Sequence, residues 1–390
     1  MTLDVARLRR DTPACETRLH FNNAGAALMP NAVTDVLHAH LDLERRIGGY
    51  EAEAAAAAEL ADFAPAFAEL LHCAAGEIAW VENATRAWDL AVHALPLQSG
   101  DRVLVHESDY ASNHLGLAQL ARRRNLDIVT IPSACDGTVD LEALEREIDA
   151  RTRAVFITHS PTHDGLINPA AEIGALARRH GLWYVLDGCQ SVGQIPIDVR
   201  AIGCHIYTGS GRKFLRGPRG TGFLYVDGSR LAELEPPFID LHSGVVTDDG
   251  YRFADDMRRF ECWESYVAGR LGERAAVRYL LEIGVEAVTA RIAELGAMLR
   301  VALTDTGRVT VLDHGTRRGG IVTFVLDDEP PEVTLPRLRA RGINTSVAGP
   351  YGAPRAPQWK EHRSAVRASV HAYNTSEEID EFVRALLGAD

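Results

Sequence analysis

From about residue 76 to residue 226 the chain repeats one texture, short apolar runs separated by stretches of helical periodicity. The runs are 102–106 (RVLVH), 127–131 (DIVTI), 153–158 (RAVFIT), 182–186 (LWYVL), 204–208 (CHIYT) and 221–226 (TGFLYV). Helical stretches lie between several of them, at 84–95, 113–124, 140–150 and 169–180. Strands that are apolar at nearly every position are buried on both faces, and strands spaced by helices pair in parallel. The alternation therefore predicts an α/β fold with a mostly parallel sheet covered by helices on both sides.

The texture differs on either side of this region. A helical pattern at 31–46 stops at Gly48-Gly49, and after Pro236-Pro237 the strand–helix alternation ends. A loop-rich segment to about 262 precedes helical stretches over 265–305, strands near 308–313 and 320–326, and a C-terminal helix opened by the cap-like Thr375-Ser376-Glu377-Glu378. The expected organisation is a large domain over 50–260 and a smaller α/β domain made of residues 1–30 and 265–390.

Hydrophobic residues at 46% and charged residues at 24% exclude a disordered chain. A net charge of −13 argues against nucleic-acid or anionic-membrane binding, which need broad positive potential. The six cysteines are scattered without a CxxC pair, and His106, His159, His163 and His205 lack metal-ligand spacing, so no metal site is expected. The first residues have no apolar signal core, and the alanine-rich 53–71 is interrupted by charges. A cytoplasmic protein with reduced thiols is the expectation.

Of 41 basic side chains only two, Lys213 and Lys360, are lysines. A preference for arginine codons accounts for the ratio, but it limits any amine chemistry to two residues, because arginine stays protonated. In open α/β sheets ligands bind beyond the carboxyl ends of the strands. Lys213 follows such an end, in Thr208-Gly209-Ser210-Gly211-Arg212-Lys213. The segment is not a phosphate-binding GxxxxGK[ST] loop, since Arg212 precedes the lysine and Phe214 follows it. The basic run Arg212, Lys213, Arg216, Arg219 has too little aromatic interleaving for a nucleic-acid patch. Lys213 does combine with Asp187, at another strand end, and with a helix start at Thr85. Pyridoxal phosphate needs these three provisions: an amine for a Schiff base, a carboxylate for the pyridine nitrogen, and a helix N-terminus for the phosphate.

Asp187-x-x-Gln190 followed by Ser210-Gly211-Arg212-Lys213-Phe214-Leu215-x-Gly217-Pro218-x-Gly220 resembles the signature of the class V aminotransferase family, fold type I pyridoxal-phosphate enzymes. The likeness runs from Asn22-Asn23-Ala24-Gly25 to Arg367-Ala368-Ser369 and Tyr373-Asn374-Thr375. It implies that Lys213 is the Schiff-base lysine and proton shuttle, that Asp187 pairs with the pyridinium nitrogen, and that Gln190 reaches the ring oxygen. Ala84, Thr85 and Ser210 would hold the phosphate, with Arg212 beside them where relatives often have histidine. Tyr110 aligns with the ring-stacking aromatic, Thr162 replaces a common asparagine, and Arg367 and Asn23 would bind the substrate, Arg367 through its carboxylate. Trp263 and Glu264 replace a threonine-containing motif and receive no role. The resemblance also implies a homodimer.

Cysteine desulfurases of this family carry a mobile catalytic cysteine before the carboxylate-binding arginine, and residues 342–367 contain none. No residue there can replace a thiolate nucleophile. The remaining likeness is to the isopenicillin N epimerase-like and hercynylcysteine sulfoxide lyase branch, supported by Gly48-Gly49-Tyr50 and Pro161-Thr162-x-x-Gly165. The expected reaction is β-elimination from a cysteine S-conjugate or its sulfoxide. The alternatives are epimerisation, transamination or decarboxylation-coupled oxidative deamination of an amino acid, and, outside enzymes, a phosphate-binding or partner-binding module.

Overall fold

The computed structural model describes residues 3–388. Seven strands form the main sheet: β1 (Ile78–Val81), β2 (Arg102–His106), β3 (Asp127–Ile131), β4 (Thr152–Thr158), β5 (Trp183–Asp187), β6 (Ile206–Ser210) and β7 (Gly222–Val226). Their order is β1-β7-β6-β5-β4-β2-β3. Neighbours from β6 to β3 pair in parallel, while β7 runs antiparallel to both β6 and β1. The sheet is mostly parallel, with one reversed strand. β1 had no counterpart among the apolar runs, and β6 begins two residues later than its run.

The period of two along each strand explains why the runs are apolar throughout. Val155, Ile157, Tyr184 and Leu186 enter one core with Ile173 and Leu176 of α4 (Ala170–Arg179) and with Val277 and Leu280 of α5 (Val267–Ile283). Their sequence neighbours Ala154, Phe156, Trp183 and Val185 enter a second core on the opposite face. That core is completed by Trp88 and Leu90 of α2 (Ala84–Ala94) and by Leu117 and Leu120 of α3 (Ala111–Arg124). Helix α1 (Asn31–Ile47) packs Val33 and Leu37 with Ala268, Ala275 and Ala276 of α5.

A four-stranded antiparallel sheet is built from β8 (Val309–Val311), β9 (Ile321–Leu326), β10 (Ser346–Ala348) and β11 (Ala365–Ser369), in the order β8-β9-β11-β10. Its core joins Phe324 and Val366 to Leu295 and Leu299 of α6 (Val285–Thr304) and to Ile379 and Phe382 of α7 (Ser376–Leu386). Residues 19–21 of the N-terminal segment join this core, while Leu8, Cys15 and Ala24 enter the main-sheet core. Leu19-His20 pairs in parallel with Ile343-Asn344, and Phe21 stacks on Phe382 with ring centroids 4.6 Å apart. Helix α7 starts with the expected capping box, Glu378 N donating to Thr375 Oγ1 and Thr375 N to the Glu378 carboxylate. The helical stretch at 265–305 is two helices, broken at Gly284, whose φ of 92° suits glycine and ends α5.

The basic run around Lys213 is not a surface patch. Lys213 and Arg216 are buried, and Arg216 Nε donates to Leu28 O at 2.9 Å while Nη2 reaches Thr12. Its guanidinium lies over the rings of Tyr373 (4.8 Å) and Tyr279 (5.6 Å). The turn after β6 is thereby fastened to the N-terminal segment, to α5 and to the stretch after β11. Among the described residues no helix is long and apolar enough to cross a membrane.

Candidate active site

The register aligns the strand ends. Thr158 at the end of β4 sits opposite Asp187 at the end of β5, and Asp187 sits opposite Thr208 near the end of β6. Ser210 faces Gly222, which faces Val81 on its other side. The segments leaving β1, β4, β5 and β6 therefore emerge along one rim, where an open α/β sheet offers its ligand site. Gly222 is needed there, since a Cβ would stand 2.6 Å from Gly209 O and 3.1 Å from Asn83 Cα. That close approach brings the start of α2 near Ser210.

Lys213 is 7% exposed, in a turn closed by Gly217 N donating to Gly211 O at 2.7 Å and Arg216 N to Lys213 O at 2.9 Å. Burial lowers its pKa, opposed by neighbouring Cys189, with the Arg212 charge adding to the depression and Asp187 resisting it. A lysine so placed loses its proton more readily and is more often present as the free amine that can act as nucleophile or base.

Asp187 ends β5, and no helix follows directly that its carboxylate could cap. Its Oδ1 accepts from Cys189 N at 2.8 Å and its Oδ2 from Asn113 Nδ2 at 2.8 Å, both neutral donors. Burial raises its pKa against those two bonds and the Lys213 charge. A cationic nitrogen brought to this carboxylate would relieve the cost of leaving its charge buried.

Gln190 Nε2 donates to Ala24 O (3.1 Å) and Thr162 Oγ1 (3.0 Å), while its buried Oε1 has no partner. Thr162 also receives Arg367, whose Nη1 donates to its Oγ1 at 2.7 Å and its carbonyl at 2.6 Å. Arg367 Nε donates to Ser346 Oγ at 3.0 Å. These acceptors are all neutral. Burial brings the guanidinium pKa down to about 10, Tyr351 opposing and Arg212 adding. A buried guanidinium without a carboxylate among these partners is a receptor for one.

Lys213, Arg212, Tyr110, Thr162 and Arg367 line one cavity of about 170 Å³, closed by Ala24, Gly25 and the stretch Val347–Gly352. Tyr110 precedes α3, and its N–H donates to Thr158 Oγ1 at 3.4 Å. Ser210 Oγ lies 3.3 Å from Cys189 Sγ, and Arg212 bonds Gly25 O. The donor set fits pyridoxal phosphate: a buried amine, a buried carboxylate bonded only to neutral donors, an unpartnered Gln190 oxygen and the N-terminus of α2 beside Ser210.

Six expected residues, Ala84, Thr85, Asp187, Gln190, Ser210 and Asn23, are not in the wall of this cavity. Thr85 is exposed and lines an adjoining groove of about 530 Å³ with Arg86, Ser112 and Phe238, while Ala84 starts α2 behind the Asn83 cap. Asn23 is fully buried, its Nδ2 donating to Ser369 O at 2.7 Å and to His20 O at 3.2 Å, its Oδ1 accepting from Tyr373. Its polar groups are spent inside the chain, so it positions Ala24 and Gly25. Trp263 and Glu264 line a separate groove of about 470 Å³ with Tyr50, His242 and Arg270.

Two further neighbours of the site, given no role from the sequence, lie in the strand-end segment 106–113. Asn113 holds Asp187 from 74 positions away. Asp109 is buried, its Oδ1 accepting from Thr158 Oγ1 and its Oδ2 without a partner. Both belong to the polar segment after β2, which marks them only as residues near a strand end.

Residues 19–382 match the family described as Aminotransferase class-V. The chain is 31% identical over 400 residues to a probable cysteine desulfurase of Xylella fastidiosa (strain 9a5c), covering 98% of this chain and 95% of the relative. It is 30% identical over 407 residues to a cysteine desulfurase of Salmonella agona (strain SL483), covering 99% and 98%. The apo structure of a cysteine desulfurase from Thermococcus onnurineus NA1 has the same fold, with a TM-score of 0.91 at 24% identity over 98% of this chain and 97% of that one.

The Asp109 carboxyl is pushed up to about 7, by burial first and the Asp187 charge besides, against the Thr158 hydrogen bond. An unfolded aspartate titrates near ~3.9, so between these values the folded chain keeps a proton that the unfolded chain has lost. Stability from this group therefore falls as pH rises from ~4 to ~7 and is level above. Asp109→Asn removes the ionisation. Its melting temperature should exceed the parent's by roughly 2–4 °C at about pH 8 and match it at about pH 4, read by calorimetry. An equal difference at both pH values contradicts the assignment.

Proposed function

This chain belongs to the aminotransferase class-V family, and on that premise we propose that it is a lyase that breaks the carbon–sulfur bond of a cysteine S-conjugate or its sulfoxide. Its cofactor is pyridoxal phosphate. When bound, that group supplies an aldehyde that takes an amine and a ring that accepts the electron pair left when a proton leaves the α carbon.

The residues divide the remaining tasks. Lys213, with its lowered pKa, would hold the cofactor through its amine and, as a free amine, would take the proton from the α carbon. Asp187, held by Asn113 and Cys189 N, would pair with the pyridine nitrogen and favour its protonated form. Arg367 grips the substrate carboxylate while Thr162 ties it to Gln190, so that carboxylate and ring are positioned by one hydrogen-bonded set. Ser210 and the first N–H groups of α2, at Ala84 and Thr85, receive the phosphate.

The observation that carries the choice of reaction is the cavity wall Val347–Gly352, which reads Val-Ala-Gly-Pro-Tyr-Gly. The sequence relatives are named cysteine desulfurases. In the desulfurase mechanism a protein thiolate attacks the substrate sulfur, and residues 342–367 provide none. Cys189 lies in the Asp187–Gln190 turn with its Sγ 3.3 Å from Ser210 Oγ and is not in the wall of the substrate cavity. Without a protein nucleophile, the sulfur departs with the substituent it already carries. Pyruvate and ammonia then follow by hydrolysis.

A homodimer is supported by the large aromatic side chains left in water beside the site. Tyr50 (72% exposed) and Trp263 (57%) flank one groove, and Phe238 (61%) flanks the groove of Thr85. Light scattering at micromolar concentration should give twice the mass of one chain; a monomer contradicts the dimer.

Incubation of the holoenzyme with a panel of cysteine S-conjugates should release thiol and pyruvate in equal amounts, and no persulfide should form on the protein. Solvent deuterium entering the α carbon of recovered amino acid, with no pyruvate from any conjugate, overturns the lyase reading in favour of epimerisation or transamination.

A further inference from the structure

We propose that Tyr351 is the acid that protonates the departing sulfur, an inference that rests on the lyase reading above. With Lys213 at the α carbon and Arg367 on the carboxylate, the β substituent has the remaining walls to face. Among the described cavity residues, the remaining side chains that bear an exchangeable proton are Tyr110, Thr162, His163, Arg212 and Tyr351.

Four of these are set aside, Arg212 because it bonds Gly25 O and keeps its protons at neutral pH. Thr162 is bonded by Gln190 and Arg367, and Tyr110 is the aromatic assigned to the cofactor ring. His163 is buried with its ring 5.8 Å from that of Trp359, and burial lowers its pKa to about 4, which leaves it a neutral imidazole and a poor acid near neutral pH. Tyr351 differs. It is 66% exposed at the cavity mouth, its ring lies across Gly349, and its hydroxyl bonds only Val347 O within its own loop.

The loop is anchored on both sides of the tyrosine. Gly352 N donates to Gly349 O at 3.0 Å, and Ala111 N, next to Tyr110, donates to Gly352 O at 3.0 Å. Gly352 also packs on Thr162, where an added Cβ would be 3.4 Å from Cγ2. The loop thus stays over the site while the phenol can exchange one carbonyl for another acceptor. Burial raises the pKa of the phenol and the Arg367 charge opposes that shift, both residues lining the same cavity.

In the step, the electron pair left at the α carbon when its proton is taken forms the Cα=Cβ bond, and the Cβ–S bond breaks with its own pair going to sulfur. The phenolic proton passes to that sulfur, a neutral thiol leaves, and water reprotonates the phenolate. Such help matters most for poor leaving groups, whose thiolates are strongly basic.

The test is Tyr351→Phe, which keeps the ring over Gly349, assayed in the holoenzyme with S-alkyl and S-aryl cysteines. Thiol release from S-alkyl substrates should fall by roughly 10²-fold and from S-aryl substrates by less than about 3-fold, steepening the dependence on leaving-group basicity. An equal loss across the series, or no loss, overturns the proposal. Absence of thiol from every conjugate with the parent enzyme instead removes the lyase reading itself. A second readout needs no turnover: in Lys213→Ala, bound S-benzylcysteine should shield Tyr351 from acylation by N-acetylimidazole more than alanine does. Equal shielding also overturns the proposal.

Discussion

An amine taken out of water loses its hydration, and its charged form loses most. Lys213 is held in that condition at the end of β6, and much of the site follows from keeping it there. A carboxylate clamped to it would restore the charge and spoil the nucleophile. The structure instead spends Asp187 on two neutral donors and leaves Lys213 beside a thiol and a second cation. The turn that carries it is fastened through Arg216, which adopts a φ of 64° and sits between two tyrosines. A left-handed backbone at a side chain this large costs about 1–2 kcal/mol, offset by the stacking and hydrogen bonds the guanidinium makes.

The same logic extends around the rim. Arg367 is a buried cation satisfied by a hydroxyl, a carbonyl and a serine, and Gln190 leaves an oxygen unpaired. Buried groups of this kind weaken a fold unless a ligand completes them, which is why unpaired charge and orphaned acceptors concentrate at functional sites. Parallel strands make the arrangement possible. Because β4, β5 and β6 run the same way, their ends bring residues 158, 187 and 208–213 to one edge without long excursions of the chain.

Most of the main sheet was legible because burial on both faces leaves a continuous apolar run. The strands at 102–106 and 127–131 fall where the pattern places them. Ile78–Val81 escaped because four residues between helices give no period. β6 slipped by two because Cys204 and His205 continue the apolar look while the strand itself ends in Gly-Ser. Lys213 and Asp187 were legible from chemistry and spacing. Asn113 and Asp109 were not, since their roles depend on contacts across elements. Asn23 shows the converse limit: a motif position marks importance, but only packing shows that it braces the cavity and does not line it.

All of this turns on one covalent link. Borohydride treatment of the purified holoenzyme, followed by proteolysis and mass spectrometry, reads it directly. The yellow colour should be lost and one pyridoxyl group should be fixed on the peptide carrying Lys213, with none on Lys360. Label on Lys360, or a cofactor that washes out unreduced, would contradict the account.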